Sequence, residues 1–153
     1  MKQKIKIKLE DPNSKSAVSM MNALWEEIQT RYGFQAPNPM KGEDFQGPKT
    51  GFWIAESEEN PIGSIAIVPW NDSVAELDVM YVDPKFRGTG VASDLIISLE
   101  NFAKENGFTS IRLRAGAPQP EALRFYEKHG YSRIDSFGRW ASDETAWCYE
   151  KKI

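Results

Sequence analysis

The sequence predicts a mixed α/β fold, one sheet with helices packed against it and strands outnumbering helices. Three observations carry this. Short apolar runs with period-two alternation, bounded by Gly, Pro, Asn or Asp, mark the strands, and three stretches repeat apolar residues at helical spacing instead. The two kinds follow one another as β, α, loop, β, β, β, α, β, α, β, β. The 153 residues, 41% hydrophobic and 27% charged, suit one domain over residues 1–153, with a core that needs no staples.

The opening "MKQKIKIKLE" sets Lys2, Lys4, Lys6 and Lys8 against Gln3, Ile5, Ile7 and Leu9. That is a strand with one buried face, its lysines discouraging edge pairing. No apolar stretch follows, so it is not read as a signal peptide. A helical stripe comes next, with Ala17, Met21, Leu24 and Ile28 on one face and Gly33 at its end. Phe34 to Lys49 holds three prolines and two glycines and reads as a long loop with room for one helical turn. "GFWIAE" and "GSIAIVPW" are strands joined by "SEENPI", and "VAELDVMYV" is a third, closed by Asp83-Pro84. A helix from Val91 puts Leu95, Leu99, Phe102 and Ala103 on one side and stops at Asn106-Gly107. "TSIRLRA" is a strand and "QPEALRFYEKHG" a helix, with Pro120 in its first turn and Gly130 past its end. "YSRIDSFGRW" and "TAWCYEKKI" read as a closing pair of strands around "ASDE".

Composition narrows the function classes. A net charge of -3 argues against nucleic acid as partner. The one cysteine, Cys148, suits a reducing, cytoplasmic setting and reads as a buried apolar residue. No apolar run is long enough to span a membrane, and no His/Cys spacing suggests a metal.

The chemistry concentrates between a strand and a helix, in "VDPKFRGTGVASD". Gly88 and Gly90 let the backbone take positive φ and let another group come close. The helix that begins there offers unpaired N–H groups and the positive end of its dipole, and Arg87 stands beside them. A phosphate is the natural guest, although the same residues also make an ordinary tight turn. It is not a Walker loop, because Val91-Ala92 replaces Lys-Ser/Thr after the last glycine. It is not a Rossmann fingerprint, because the third glycine is missing.

Arg87-x-x-Gly90-x-Ala92 after Asp83-Pro84 resembles the pyrophosphate motif of the GNAT superfamily of N-acetyltransferases. "PEALRFYEKHGYSRI" resembles that superfamily's next motif, in the expected order. The likeness extends from about Gly51 to the C-terminus. It implies a GNAT-like acyl-CoA N-acyltransferase fold, α/β (α+β mixed), with a mostly antiparallel twisted sheet flanked by helices. It also implies acetyl-CoA as cosubstrate, without a metal, and direct transfer to the primary amine of a small molecule or of a peptide, by a monomer or homodimer.

Carried onto this sequence, the resemblance puts the pyrophosphate on Arg87, Gly88, Thr89, Gly90, Val91, Ala92 and Ser93. Pantetheine then lies along Met80, Tyr81 and Val82, with a backbone N–H near Val82 polarising the thioester. Gln119 stands where the family often has asparagine, one methylene longer. Tyr126 falls on the general acid, and Gln119, Ala122 and Tyr126 share a helix face. Glu76, beside Asp78 on one side of its strand, is the candidate base, as in several family members. Against these stand a core tyrosine and a solvated polar strand face. His129 reads as structural or surface, placed to favour the helix dipole. Arg31, Tyr32 and Trp140 are candidates for the acceptor pocket. Three rivals remain at this level: transfer from another acyl-CoA or to an O- or S-acceptor on the same motifs, a non-catalytic acyl-CoA-sensing module of the same fold, and a nucleotide-binding protein using the same turn.

Overall fold

The computed structural model describes residues 4–116, 120–138, 141 and 146–153. Its strands are β1 (Ile5–Leu9), β2 (Gly51–Ser57), β3 (Asn60–Pro69), β4 (Val74–Val82), β5 (Ser110–Gly116), β6 (Ser132–Ile134) and β7 (Ala146–Lys152). Its helices are α1 (Lys15–Tyr32), α2 (Val91–Glu105) and α3 (Pro120–Lys128), with single 3-10 turns at Gly42–Phe45 and Pro84–Phe86. The strands form one sheet in the order β1-β2-β3-β4-β5-β7-β6. Every adjacent pair is antiparallel except β4 and β5. The mixed, mostly antiparallel expectation holds.

Local chemistry sets the helix ends. Ser14 caps α1 by accepting from the Ala17 N–H at 3.1 Å. Gly33, at φ 71°, closes it with its own N–H on the Gln29 carbonyl. The helices then cover both faces of the sheet. On one, Ala17, Met20 and Met21 of α1 pack with Phe45, Phe52, Ile54, Ala66 and Val79. On the other, Leu95, Ile96, Leu99 and Ala103 of α2 pack with Trp53, Ile65, Ile67, Ile111 and Leu113. Fully burying a side chain of this size contributes about 1.5–3 kcal/mol, so the two clusters supply the main driving force. Tyr126 and Tyr131 belong to the α2 face. A buried polar latch ties α2 to β7 there. Glu100 accepts from the Tyr131 hydroxyl at 2.9 Å and from Lys151 at 3.0 Å.

Three expectations need correction. The β2–β3 hairpin turns on Glu58 and Glu59 alone, at φ 51° and 68°, so both strands run further than "SEENPI" suggested. A two-residue turn of type I′ needs positive φ at both positions, and glutamates here supply what Asn-Gly usually does. Strand β6 ends at Ile134 instead of running through Phe137. Phe137 leaves the ladder and lies buried, edge-on to Trp70 and beneath Arg112. Leu9, at the end of edge strand β1, is 60% exposed although the alternation placed it inside. The long loop after α1 is strapped to the helix's outer side, with the Trp25 Nε1–H on the Ala36 carbonyl and Asn38 on Asn22.

Candidate functional site

The site starts from a defect in the sheet. β4 and β5 pair only from Val74↔Ser110 to Glu76↔Arg112, and the ladder ends there while both strands continue. On its other side β4 pairs Ala66↔Asp78 and then Ser64↔Tyr81, so three steps of β4 oppose two of β3. This is a β-bulge. Val79 takes φ 53°, a conformation costly for a β-branched residue, of the order of 1–3 kcal/mol. The buried Ser64 hydroxyl donates to the Val79 carbonyl at 2.8 Å and holds the bulge in place. Ala75 and Leu77 face α2, Val79 faces α1, and Val82 returns to the α2 side.

The bulge makes a first prediction. Ser64→Ala should lower unfolding stability by about 1–3 kcal/mol, because a buried carbonyl loses its donor. Denaturant unfolding at unchanged m checks it; an unchanged midpoint would mean that the bulge is held by packing alone.

Where the strands part, a cleft of about 520 Å3 opens between α1, β4, β5, α3 and the glycine turn. Asp78 through Val82 line its floor, and Arg114 and Ala115 its far wall. Glu27, Ile28 and Arg31 of α1 border it, as do Glu121, Ala122, Phe125 and Tyr126 of α3. Two ion pairs link α1 across its mouth: Arg31 to Glu121 of α3 and Arg87 to Glu27, each at 2.6 Å.

At one end lies the glycine turn. Gly88 and Gly90 take φ 80° and 93°, and a Cβ on either would meet no protein atom within 4 Å. Gly90 begins α2 without a side-chain cap, so the first N–H groups of the helix are available to a guest. Gly88, Gly90, Ala92 and Ser93 line the cleft. Val91 is buried in the core and offers only its backbone, while the Thr89 hydroxyl bonds the Phe86 carbonyl. Arg87 donates Nε–H to the Val82 carbonyl at 2.8 Å and lies over the Tyr81 ring. It therefore braces the turn against the end of β4 as well as carrying charge.

Tyr126 fits both readings of it. Its side chain is buried in the α2-face core and also lines the cleft. Burial first, and the Asp78 carboxylate second, push its pKa well above the usual tyrosine range. The two carboxylates of β4 separate. Glu76 is buried where β4 still pairs with β5, level with Arg112, and lies outside the cleft lining; Asp78, two residues on, lines it.

Of the remaining candidates, Arg31 borders the cleft and Tyr32 does not. Gln119 and Trp140 lie outside the described residues. Cys148 is fully buried in β7. His129 makes a structural contact: its Nε2 sits 3.0 Å from the Ser93 Oγ, and burial lowers its pKa. Thirty-six residues separate these two side chains in sequence, so no local pattern announces the contact. Among the described residues no group of three or more His, Cys, Asp or Glu could hold a metal. None of their helices is long and apolar enough to cross a membrane. A more open hollow of about 860 Å3 on the outer side of α1 contains none of the motif residues.

Comparison with known proteins agrees with this architecture. The model of the acetyltransferase (GNAT) family matches residues 18–131. The uncharacterized N-acetyltransferase YjgM of Escherichia coli K12 is 32% identical over 109 residues, 67% of this chain and 65% of that protein. Human N-acetyltransferase 8 is 30% identical over 97 residues, 59% of this chain and 43% of that one. The chain thus spans less than half the length of that human relative. Among solved structures, PaiA N-acetyltransferase of Thermoplasma acidophilum in complex with coenzyme A superposes with a TM-score of 0.74 at 19% identity, covering 98% of this chain and 99% of that one.

Proposed function

The chain belongs to the acetyltransferase (GNAT) family, and on that premise we propose that it is a cytoplasmic N-acetyltransferase, passing acetyl directly from acetyl-CoA to the amine of a small molecule. The observation that carries the proposal is the parting of β4 from β5 after Glu76↔Arg112, continuous with the cleft that ends at the glycine turn. A strand edge without its neighbour has main-chain donors and acceptors to offer, which the amide-bearing pantetheine arm can use as an added strand would. The open space at Gly88 and Gly90 and the uncapped start of α2 fit a pyrophosphate. PaiA, of the same fold, holds coenzyme A.

The residues then divide the work. The backbone of Gly88 to Ser93 grips the phosphates, and Met80 to Val82 align the arm so that a main-chain N–H at the bulged end of β4 faces the thioester oxygen. The acceptor nitrogen attacks the thioester carbon, the N–C bond forms and the C–S bond breaks. Tyr126 donates its proton to the departing sulfur. The proton lost by the amine leaves on the Asp78 side. Asp78 replaces Glu76 in this role, because it lines the cleft and Glu76 does not. Direct transfer is favoured because the one thiol, Cys148, is sealed in the core.

Incubating the chain with acetyl-CoA and a panel of amines, and titrating released thiol, tests the reading. Amine-dependent thiol release is expected; tight coenzyme A binding without release on any amine would make it a sensor instead. A smaller effect follows from the Glu27–Arg87 pair. Glu27→Gln should tighten coenzyme A binding about two- to fivefold, by removing an anion beside the phosphates, and less so at high salt. Weaker binding in that variant would mean that Glu27 holds Arg87 in place for the phosphates.

A further inference from the structure

Two side chains 36 positions apart in sequence meet beside the glycine turn. Ser93 is the third residue of α2, and its Oγ lies 3.0 Å from the Nε2 of His129, just past the end of α3. The first hydrogen bond inside α2 runs from the Asp94 N–H to the Gly90 carbonyl at 3.0 Å, so the N–H groups of Val91, Ala92 and Ser93 stand ahead of it, at the open start of the helix. Side chains on a helix lean toward its N-terminus, so the Ser93 hydroxyl shares the turn of these N–H groups, and Ser93 lines the cleft. His129 is outside that lining, half-buried, with its ring tilted against Phe125 at 4.6 Å. It meets a guest at the glycine turn through Ser93.

We propose that His129 is a positioning residue for the cofactor: its Nε2–H donates to the Ser93 Oγ and so turns the Ser93 hydroxyl proton onto a phosphate oxygen. This deepens the reading that sets the phosphates on Gly88–Ser93 and rests on it. A serine hydroxyl has one proton and two lone pairs, whereas an ionised pyrophosphate only accepts. With Nε2 bare, the imidazole takes that proton and Ser93 turns a lone pair toward the anion. With Nε2 protonated, the imidazole donates, and the Ser93 proton is left for a charge-assisted bond to the phosphate. The neutral Nε2–H tautomer and the imidazolium both satisfy this second arrangement, and the imidazolium adds a positive charge near the anion. Around the ring, Glu100 of α2 favours that charge, while burial, and after it Lys151 of β7 and Lys128 of α3, oppose it. The positive end of the α2 dipole opposes it too. His129 is therefore neutral near pH 7 in the free chain, and an anion at the glycine turn draws it toward the protonated form. Affinity for the anion should rise as pH falls through the pKa of the complex and level off below that of the free chain.

His129 is the one histidine of the chain, so its ring signals stand alone in a nitrogen NMR spectrum. The test uses the tag-free full chain and dephospho-coenzyme A, which keeps the pyrophosphate and lacks the phosphate monoester that titrates in the same range. Calorimetry from about pH 7.5 to about pH 5.5 should show binding tighten about threefold to tenfold, and the spectrum should show Nε2 protonated in the complex. Ser93→Ala should weaken binding about tenfold and flatten the profile. His129→Leu should flatten it and weaken binding about two- to fivefold at neutral pH. His129→Gln, whose amide N–H donates at every pH, should recover that loss and leave the profile flat. A pH-independent affinity in the native chain, or a bare Nε2 in its complex, would overturn the proposal and leave the phosphate site standing. So would a full pH dependence in Ser93→Ala, which would make His129 act by charge alone. A native chain that binds neither dephospho-coenzyme A nor coenzyme A at any pH would overturn the phosphate placement, and this proposal with it. The native-chain profile and spectrum decide the matter if the variants do not fold.

Discussion

Tyr126→Phe is expected to lower turnover by about 10²–10⁴-fold while coenzyme A affinity changes little, the range for losing a positioned proton donor. The substitution removes one oxygen from a side chain packed edge-on to Phe125 and Tyr131, so the ring and its packing remain. Stopped-flow or steady-state thiol release against calorimetric affinity separates the two quantities. The pH dependence is also set. Burial and the Asp78 charge raise the pKa of Tyr126 above its ordinary value, so the hydroxyl stays protonated throughout the neutral and mildly alkaline range. The native rate profile should therefore show no falling limb from this group below about pH 10. The same raised pKa gives stability that is fully present below about pH 10 and is lost as pH rises beyond it. Turnover unchanged in the phenylalanine variant would return Tyr126 to a purely packing role.

Gly90→Leu should cut coenzyme A affinity by about tenfold to a hundredfold or more, roughly 1.4–3 kcal/mol. Two effects have to be separated. At φ 93° any side chain strains the backbone, and that cost, about 1–2 kcal/mol, falls on the free protein as well. A Cβ there meets no protein atom within 4 Å, so any further loss must come from contact with the guest. Gly107 is the matching control. It sits at φ 83°, equally open, just beyond the other end of α2. Gly107→Leu should lose comparable stability and keep full affinity. Normal affinity in Gly90→Leu would remove the phosphates from the turn.

Much of this was readable before the fold. The caps at Ser14 and Gly33, the strand Val74–Val82 and the helix from Val91 follow from side-chain chemistry that acts over a few residues. The glycine turn was legible because few residues other than glycine leave room for a close-approaching anion. What escaped depends on longer range or on residues acting against type. Val79 carries the bulge, yet valine signals regular strand. The turn within "SEENPI" was expected, but that Glu58 and Glu59 alone make it is not announced by their identity. Alternation put Glu76 and Asp78 on one face correctly, but where the ladder with β5 ends is decided by the partner strand, 36 residues on, and beyond that end Asp78 lines the cleft while Glu76 does not. The Ser93–His129 contact and the shared cleft lining of Asp78 and Arg114 arise in the same way, from elements far apart in sequence.

The most direct measurement is amide hydrogen exchange on the native chain with and without coenzyme A. Slower exchange is expected, confined to Leu77–Val82 of β4 and to Gly88–Ser93, the strand edge beyond the β5 ladder and the uncapped helix start. Saturating coenzyme A that leaves both segments exchanging as before, or protects the outer side of α1 instead, would contradict it.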